Sequence, residues 1–276
     1  RELSAGFDVF YRTTDFGDRS SFQEDEAGFG LRGGYQLTPS LRHTARYTLS
    51  RDKIDNISTD ASPAIQAQEG TFTTSSIGNE FFYDKRDSRF TPTDGHFVRY
   101  NIDLAGFGGT ERFVKNELSS GIFRRLFGSA FIGSLDGSVG IINGLNDDVR
   151  VSERFFLGGN RLRGFETAGV GARDLSTGDA LGGTKFYRAS TEVEFPLGLP
   201  DEFDIRGSIF TDIGSVWGND DPFTNIADDA SLRGSVGIGL GWSSPAGPIR
   251  INLTRAYLKE YYDLTEFFAF NFGTRF

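Results

Sequence analysis

The chain has 276 residues, among them 28 Phe and 36 Gly but no Cys and no Met, and its formal net charge is −9. This negative charge argues against a nucleic-acid surface, which needs a clustered basic face, and the apolar runs are too short for a transmembrane helix of about 20 residues. Aromatic and glycine enrichment with only 37% hydrophobic residues is typical of alternating strands, so a membrane protein is possible only as a barrel.

The chain begins without an initiator Met or a signal peptide, which predicts that it was trimmed or starts inside a longer protein. From "LSAGFDVFY" to "EFFAFNFGTRF", apolar and polar residues alternate in a series of segments separated by turn residues. The clearest segment is 203–217, where odd positions such as Ile205 and Ile209 are apolar while Arg206 and Asp212 occupy even positions. Alternation with period two places the two sets on opposite faces of a strand.

About twelve such segments, each of roughly ten to fourteen residues, are long enough to cross a bilayer at a tilt, whereas strands of a soluble sandwich run to about five or six. The polar face carries many charged residues, which suits a wet lumen. These residues are Glu26, Arg32, Arg46, Arg99, Asp103, Asp136, Glu192 and Arg206. The sequence therefore predicts an all-β fold: an antiparallel transmembrane β-barrel forming a single domain over 1–276.

Every second connection is short or marked by proline, as in "LTPS" and "SSPAG", and the connections between them are mostly longer and acidic. Outer-membrane barrels have short periplasmic turns and long external loops. Trp217 is then expected at the outer rim and Trp242 at the periplasmic rim. We expect the acidic loops, such as 219–231, to be solvated; divalent-ion binding is the alternative, although EF-hand spacing is missing.

The chain has two histidines, His43 and His96, and each shares its strand face with apolar residues. Both are expected to point toward lipid, so a Ser-His catalytic pair or a multi-histidine metal site is poorly supported. The glycine pattern "GIGLG" (237–241) is followed by no predicted helix, and small inward-facing residues of a barrel explain it better than a dinucleotide motif. We predict no enzyme, no metal and no cofactor.

The longest connection, about 143–183, far exceeds the two to five residues that a hairpin needs. Near its middle, "GGNRLRGFE" places Arg161 and Arg163 among three glycines, and Phe165 follows the last of them, Gly164. One interpretation is a solvated external loop with incidental arginines. The other is a tip that turns sharply and presents its guanidinium groups inside the barrel.

Three carboxylates favour the second interpretation. Glu192 and Glu194 lie on the strand after the loop and Asp212 lies on the next strand, and parity points all three into the lumen. An arginine tip that folds inward would find partners there, whereas one that stays outside would find water.

The stretch "GGNRLRGFE" resembles the conserved (V/I)RG(F/Y) loop motif of the BamA-type outer-membrane assembly factors, with Leu162 where Val or Ile is usual. The match continues in order through "DALGGTKFY", "STEVEFPL", "IFTDIGSVW", "GIGLGWSSPAGPIRINL" and "FAFNFGTRF", and upstream "DKRDSRFTPTDG" is similar to the family's Arg-Asp…Pro-x-x-Gly turn. The family's barrel has sixteen strands and follows POTRA domains. The resemblance therefore implies that this chain is the C-terminal part of such a barrel, without the POTRA domains.

The resemblance also implies a non-enzymatic machine of the Gram-negative outer membrane that helps unfolded β-barrel clients fold and insert. Its partners would be those clients, accessory assembly lipoproteins, and outer-membrane lipid and lipopolysaccharide, with no nucleic acid. By matched position Arg163 is the motif arginine, and Glu194 and Asp212 are its lumen partners. Phe272 and Phe276 share one parity and resemble the terminal aromatic signal by which barrels are recognised for assembly.

Other functions remain open at this point. A translocation-and-assembly subunit and a two-partner secretion pore belong to the same superfamily, and the number of POTRA domains would help to separate them. An autotransporter-like pore would need an N-terminal helix, and no helix-period segment precedes Leu3. An outer-membrane phospholipase would need an inward histidine, which parity does not provide.

Overall fold

The structure, a computed structural model, describes residues 3–15, 17–127, 130–145, 148–200, 204–223, 225–244 and 247–272. Twelve strands form one sheet in which every strand pairs antiparallel with its neighbours along the chain. Both the predicted all-β class and the predicted number of strands are confirmed. In the part of the chain described, no helix has the length and apolar character needed to span a membrane.

The first and the last strands of the sheet in chain order are β1 and β14. Its strands are β1 (Leu3–Asp15), β2 (Gln23–Thr38), β3 (Leu41–Asp55), β4 (Gly70–Asp84), β5 (Gly95–Gly109), β6 (Phe113–Leu126), β7 (Phe131–Gly144), β9 (Lys185–Pro196), β10 (Ile205–Trp217), β12 (Arg233–Ser244), β13 (Gly247–Leu258) and β14 (Phe268–Phe272). The two-residue strands β8 (Arg173–Asp174) and β11 (Ile226–Ala227) pair with each other outside this sheet. One-turn helices, α1 (Gly17–Ser20) and α2 (Pro63–Gln66), lie in the connections.

The two faces of the sheet follow the alternation of the sequence. Large apolar side chains such as Phe7 and Val9 of β1 and Phe268 and Phe270 of β14 are exposed on one face, as contact with lipid requires. The opposite, polar face carries ion pairs between neighbouring strands, and in one of them Arg32 contacts Asp8 at 2.8 Å. Separation of apolar and polar side chains onto opposite faces is what a strand with period-two alternation produces.

Side chains at the rims occupy the faces that parity predicted. His43 lies on the apolar face, where its ring stacks on Phe81 with the ring centroids 4.6 Å apart. Trp217, the last residue of β10, meets Tyr187 edge-on with the ring centroids 5.7 Å apart. Trp242 lies on β12 beside the short β12–β13 connection. Residues 72–84 and 112–125, in which apolar and polar residues alternate less regularly, lie almost entirely on β4 and β6, and a register shift between Thr74 and Ser76 accounts for part of the irregularity.

The long connections pack on one another at one end of the sheet. A buried cluster joins Phe22, Ile54, Ile65, Val151 and Leu181, which come from four different parts of the chain. Polar contacts fasten the same region: Ser62 Oγ donates to Asp174 Oδ2 at 2.7 Å, and Ser20 Oγ donates to the carbonyl of Ala180 at 2.8 Å. These contacts join the long connections to one another at that end of the sheet.

The expectation that the acidic loop 219–231 is simply solvated is wrong for part of that loop. Asp221 receives a hydrogen bond of 2.8 Å from Nη1 of the buried Arg154. Asp228 accepts hydrogen bonds from the backbone amides of Gly218 and Asn219. These carboxylates hold the loop in place because each one has donors within the fold.

Candidate functional site

The site is built by the segment between β7 and β9, which packs on the polar face of the sheet. Its residues Leu157, Leu162 and Phe165 are fully or almost fully buried, and they form a core cluster with strand residues that include Phe186 and Val216. We call residues 158–166 the loop tip. Apolar anchors on both sides of its arginines hold the tip against the strands.

Gly164 is required by the path of the tip. Its φ of 89° lies in the left-handed region, and a Cβ there would lie 2.8 Å from the Cβ of Ser235 on β12. A side chain at this position would meet both strain and collision. Ser235 also donates its hydroxyl to the carbonyl of Arg163. The backbone of the tip therefore lies directly against β12.

The guanidinium group of Arg163 is surrounded by acceptors. Its Nε and Nη2 donate to the two carboxylate oxygens of Asp212, each at 2.7 Å, and its Nη1 donates to Glu192 Oε2 at 2.7 Å. The backbone amide of Arg163 also donates to Asp212 at 3.0 Å, and Nη2 donates to Ser190 Oγ at 2.9 Å. The planar fork of arginine suits such a bidentate contact, which lysine could not reproduce.

The contacts continue away from Arg163 as a chain of alternating charges. Arg250 of β13 donates to Glu192 at 2.9 Å and to Glu194 at 3.2 Å, and Arg206 approaches Glu194 at 3.6 Å. Alternation of sign lets each buried carboxylate face at least one cation, which offsets the cost of removing these charges from water.

The predicted contact between Arg163 and Glu194 is wrong, and Glu192 takes that place. Register explains the difference: Ser190 lies opposite Asp212, Glu192 lies opposite Phe210, and Glu194 lies opposite Ser208. Each step of two residues moves a side chain roughly 6.6 Å along the strand, so Glu194 is one row too far from Asp212. Parity identified the correct face but not the correct row.

Arg161 takes a different direction from Arg163. Its Nη2 donates to Glu117 Oε1 of β6 at 3.2 Å, and its side chain remains 42% exposed. Its guanidinium also lies 4.7 Å from the ring centroid of Phe186. The two arginines of the tip therefore reach separate strands, and only Arg163 is removed from water.

Sequence reasoning missed Phe210. Its ring centroid lies 3.3 Å from Cζ of Arg163, which is a desolvated cation–π contact. A Cβ at Gly237 of β12 would lie 2.6 Å from this ring, so the glycines of "GIGLG" leave room for the aromatic side chain. A signal was present, because Phe210 is a large aromatic at an even position of a strand whose other even positions are mostly polar.

The two terminal phenylalanines have different outcomes. Phe272 lies on the apolar face of β14 and is 61% exposed. Phe276 lies outside the residues that the structure describes, so its part in a terminal signal stays a prediction.

Comparison with known proteins identifies the class of this barrel. The model of the Omp85 superfamily domain matches residues 1–276, so the chain belongs to the Omp85 superfamily. In fold it is similar to the crystal structure of BamA from Haemophilus ducreyi lacking POTRA domains 1–3, with a TM-score of 0.86 and 20% identity over 97% of this chain and 58% of that one. CdiB from Acinetobacter baumannii is similar at a TM-score of 0.57 and 12% identity, over 98% of this chain and 47% of that one.

Within the superfamily, sequence similarity points to the BamA type. The chain is 34% identical to the outer membrane protein assembly factor BamA of Neorickettsia risticii, over 93% of this chain and 35% of that protein. It is 29% identical to a SAM50-like protein of Schizosaccharomyces pombe, over 79% of this chain and 49% of that protein. The chain thus spans about a third to a half of these relatives. The BamA-type resemblance and the location in the outer membrane of a Gram-negative bacterium are confirmed.

Proposed function

We propose that this chain is the C-terminal part of the barrel of an outer-membrane assembly factor that helps β-barrel client proteins fold and insert. The observation that carries the proposal is the buried contact of Arg163 with Asp212 and Glu192, made by a loop tip whose sequence has the family's motif. Relatives that match most of this chain are named as assembly factors. The proposal transfers that activity to the whole protein of which this barrel is a part.

The proposed mechanism needs no nucleotide, metal or covalent chemistry. Folding of the client supplies the driving force, and the barrel lowers the kinetic barrier by disturbing the bilayer and offering a strand edge for pairing. The β13–β14 ladder supports this mechanism, since its last pair toward the connection is Leu253 with Phe268 although β13 continues to Leu258, and strands joined by fewer ladder bonds are easier to separate. The protein acts on its clients without enzymatic turnover.

Three groups of partners belong to the proposal. Unfolded barrel clients would meet the sheet edge, accessory assembly lipoproteins would act from the periplasmic side, and lipid and lipopolysaccharide would contact the exposed apolar face. The exposed aromatic side chains of that face, such as Phe268 and Phe270, support the lipid contact because aromatic rings are favoured where a barrel meets the bilayer.

The test uses the full-length protein reconstituted in liposomes. An unfolded client barrel is diluted from urea onto these liposomes, and the folded client is measured by its heat-modifiable mobility on a gel. We expect Arg163→Ala to lower the yield and initial rate strongly, because it leaves Asp212 and Glu192 buried without their shared cation. Arg161→Ala is the matched control, and its effect should be milder because Arg161 is partly exposed.

Equal client folding by the parent and Arg163→Ala, at equal amounts of folded barrel, would count against the proposal. A secretion pore gives a different pattern: it would export its dedicated substrate and leave insertion of unrelated client barrels at the rate of empty liposomes. The same reconstitution therefore separates the two functions.

A further inference from the structure

The last external connection, between β13 and β14, is bonded to the loop tip through its backbone. The amide of Glu266 donates to the carbonyl of Gly164 at 3.1 Å, and the amide of Glu166 donates to the carbonyl of Leu264 at 3.0 Å. Phe165 and Thr265 form an antiparallel bridge between these bonds. The tip and residues 264–266 thus form a short ladder that does not belong to the main sheet.

The same residues lie directly before the point at which β14 joins β13. In that pairing Ile249 lies opposite Phe272 and Leu253 lies opposite Phe268, and the amide of Thr254 still donates to the carbonyl of Phe267 at 2.8 Å. β13 itself continues to Leu258. The chain therefore leaves the β13 ladder at the residues that the loop tip bonds.

If the register of β13 and β14 continued upward, Arg255 would lie opposite Glu266 and Tyr257 would lie opposite Leu264. The first pair has opposite charges and the second is apolar, and cross-strand pairs of both kinds stabilise antiparallel strands. In the structure Tyr257 and Leu264 are both substantially exposed. The sequence on both strands thus suits a ladder that continues past Thr254 and Phe267, where the pairing ends in the structure.

A second buried ion pair holds the same connection from its other side. Arg233, at the start of β12, donates its Nε to Asp263 Oδ2 at 3.0 Å, and neither side chain is exposed. Its Nη2 donates to the hydroxyl of Tyr262 at 3.0 Å. Burial raises the pKa of Tyr262 to about 12, so this hydroxyl stays protonated and donates in turn to Asp229.

We propose that the loop tip and residues 255–258 of β13 compete for the backbone of residues 264–266, so that the tip keeps β14 from pairing with β13 beyond Phe267. Arg233 and Asp263 are positioning residues, because they hold the connection where the tip can bond it. When the tip leaves its place, residues 264–266 pair with β13 and β14 becomes longer. This coupling goes beyond client assembly and does not depend on whether the protein performs it.

Cross-linking of cysteine pairs measures the two pairings. The 276 residues contain no cysteine, so introduced pairs report only on themselves once any cysteines elsewhere in the full-length protein are replaced by serine. Arg255→Cys with Glu266→Cys reports the longer strand, because directly opposed residues lie within disulfide range. Ile251→Cys with Phe270→Cys is the matched control, since these residues are already opposite each other.

Each cysteine pair is introduced into the full-length protein in three backgrounds: the parent, Gly164→Ala and Asp263→Asn. The proteins are oxidised in liposomes, and the yield of the disulfide is measured. We expect the 255–266 yield to be low in the parent and to rise on the order of tenfold in each variant, the change that loss of one or two hydrogen bonds produces. The 251–270 yield should stay constant. Gly164→Ala acts from the tip and Asp263→Asn from the opposite anchor, so agreement between them excludes a purely local effect.

Three results would overturn the proposal: efficient 255–266 cross-linking in the parent, no increase in either variant, or a matching fall of the 251–270 yield. If the variants do not fold, hydrogen exchange in the parent decides. The amides of Leu264 and Glu266 should exchange together with Glu166 and Gly169 of the loop, separately from those of β14. Exchange at the rate of the β14 amides would refute the competition.

Discussion

Ion pairs occur on the polar face both at the first strands, β1 and β2, and at β9 and β10, where the loop tip packs. The two regions differ in how far these pairs are exposed to solvent. Between β1 and β2, Arg32 and Asp8 form an ion pair whose side chains are 59% and 49% exposed. Between the loop tip and β10, Arg163 and Asp212 form an ion pair whose side chains are each 3% exposed. The difference arises because the loop covers the polar face of β9, β10 and β12.

The comparison shows that the contribution of an ion pair to stability depends on where in the barrel the pair lies, because that position decides whether the pair is buried. Exposed ion pairs typically contribute about 0–1 kcal/mol, whereas removal of one partner from a buried pair costs about 3–5 kcal/mol because the other charge is left uncompensated. The loop tip and strands β9, β10 and β13 therefore share a buried network whose contacts depend on one another. Strands β1 and β2 instead carry separate ion pairs that are exposed to solvent.

The largest effect on stability is expected at Asp212. Asp212→Ala removes three hydrogen bonds from Arg163 and one from Ser190, and the free energy of unfolding should fall by about 3–5 kcal/mol. Urea-induced unfolding of the barrel in liposomes, followed by tryptophan fluorescence, measures this change. A loss no greater than that of an exposed pair would mean that the site is hydrated.

The next comparison concerns the two neighbouring glutamates of β9. Glu192→Ala should lower the free energy of unfolding by about 3 kcal/mol, since it breaks contacts with both Arg163 and Arg250 in a buried site. Glu194→Ala should cost about 1 kcal/mol or less because the side chain of Glu194 is 31% exposed. The same unfolding experiment compares them, and the reverse order would restore Glu194 as the partner of the motif arginine.

A smaller effect is expected at Phe210. Phe210→Leu keeps an apolar side chain but removes the aromatic face below Arg163, so it should cost about 1–2 kcal/mol. Phe186→Leu is the matched control, because Phe186 lies beneath the more exposed Arg161. If both substitutions have equal effects, the contribution of Phe210 is packing alone.

The smallest effect is expected in the first strands. Arg32→Ala should change the free energy of unfolding by less than about 1 kcal/mol, because its partner Asp8 remains in contact with water. Raising the salt concentration should reduce this difference further. A change as large as that of Asp212→Ala would remove the contrast between the two regions.

Alternation along the chain was sufficient to predict the strands and their faces, because period two is a local property that each segment carries by itself. The same alternation placed Glu192, Glu194 and Asp212 on one face. It could not rank Glu192 above Glu194, since that order depends on the register between β9 and β10 and on how far the tip reaches. Register is set by pairing across the sheet, which no single segment contains.

Contacts between distant loops were beyond the reach of sequence reasoning. Arg233 and Asp263 are 30 residues apart, and Ser62 and Asp174 are 112 residues apart; nothing in either local pattern indicates that they meet. The family motif identified the tip, but its backbone ladder to residues 264–266 uses main-chain groups that every sequence has. Only the assembled fold shows which of these groups are close.

The central claim is that the contact of Arg163 with the acidic residues of the polar face supports client assembly, and a charge exchange tests it most directly. In the full-length protein, Arg163→Glu and Asp212→Arg should each lower the folding rate of a client barrel in liposomes, at matched amounts of the folded full-length protein. The double variant should recover part of that rate, because opposite charges again face each other; recovery is incomplete because Glu192 then lies beside a new carboxylate. A double variant no faster than the slower single variant would contradict the account.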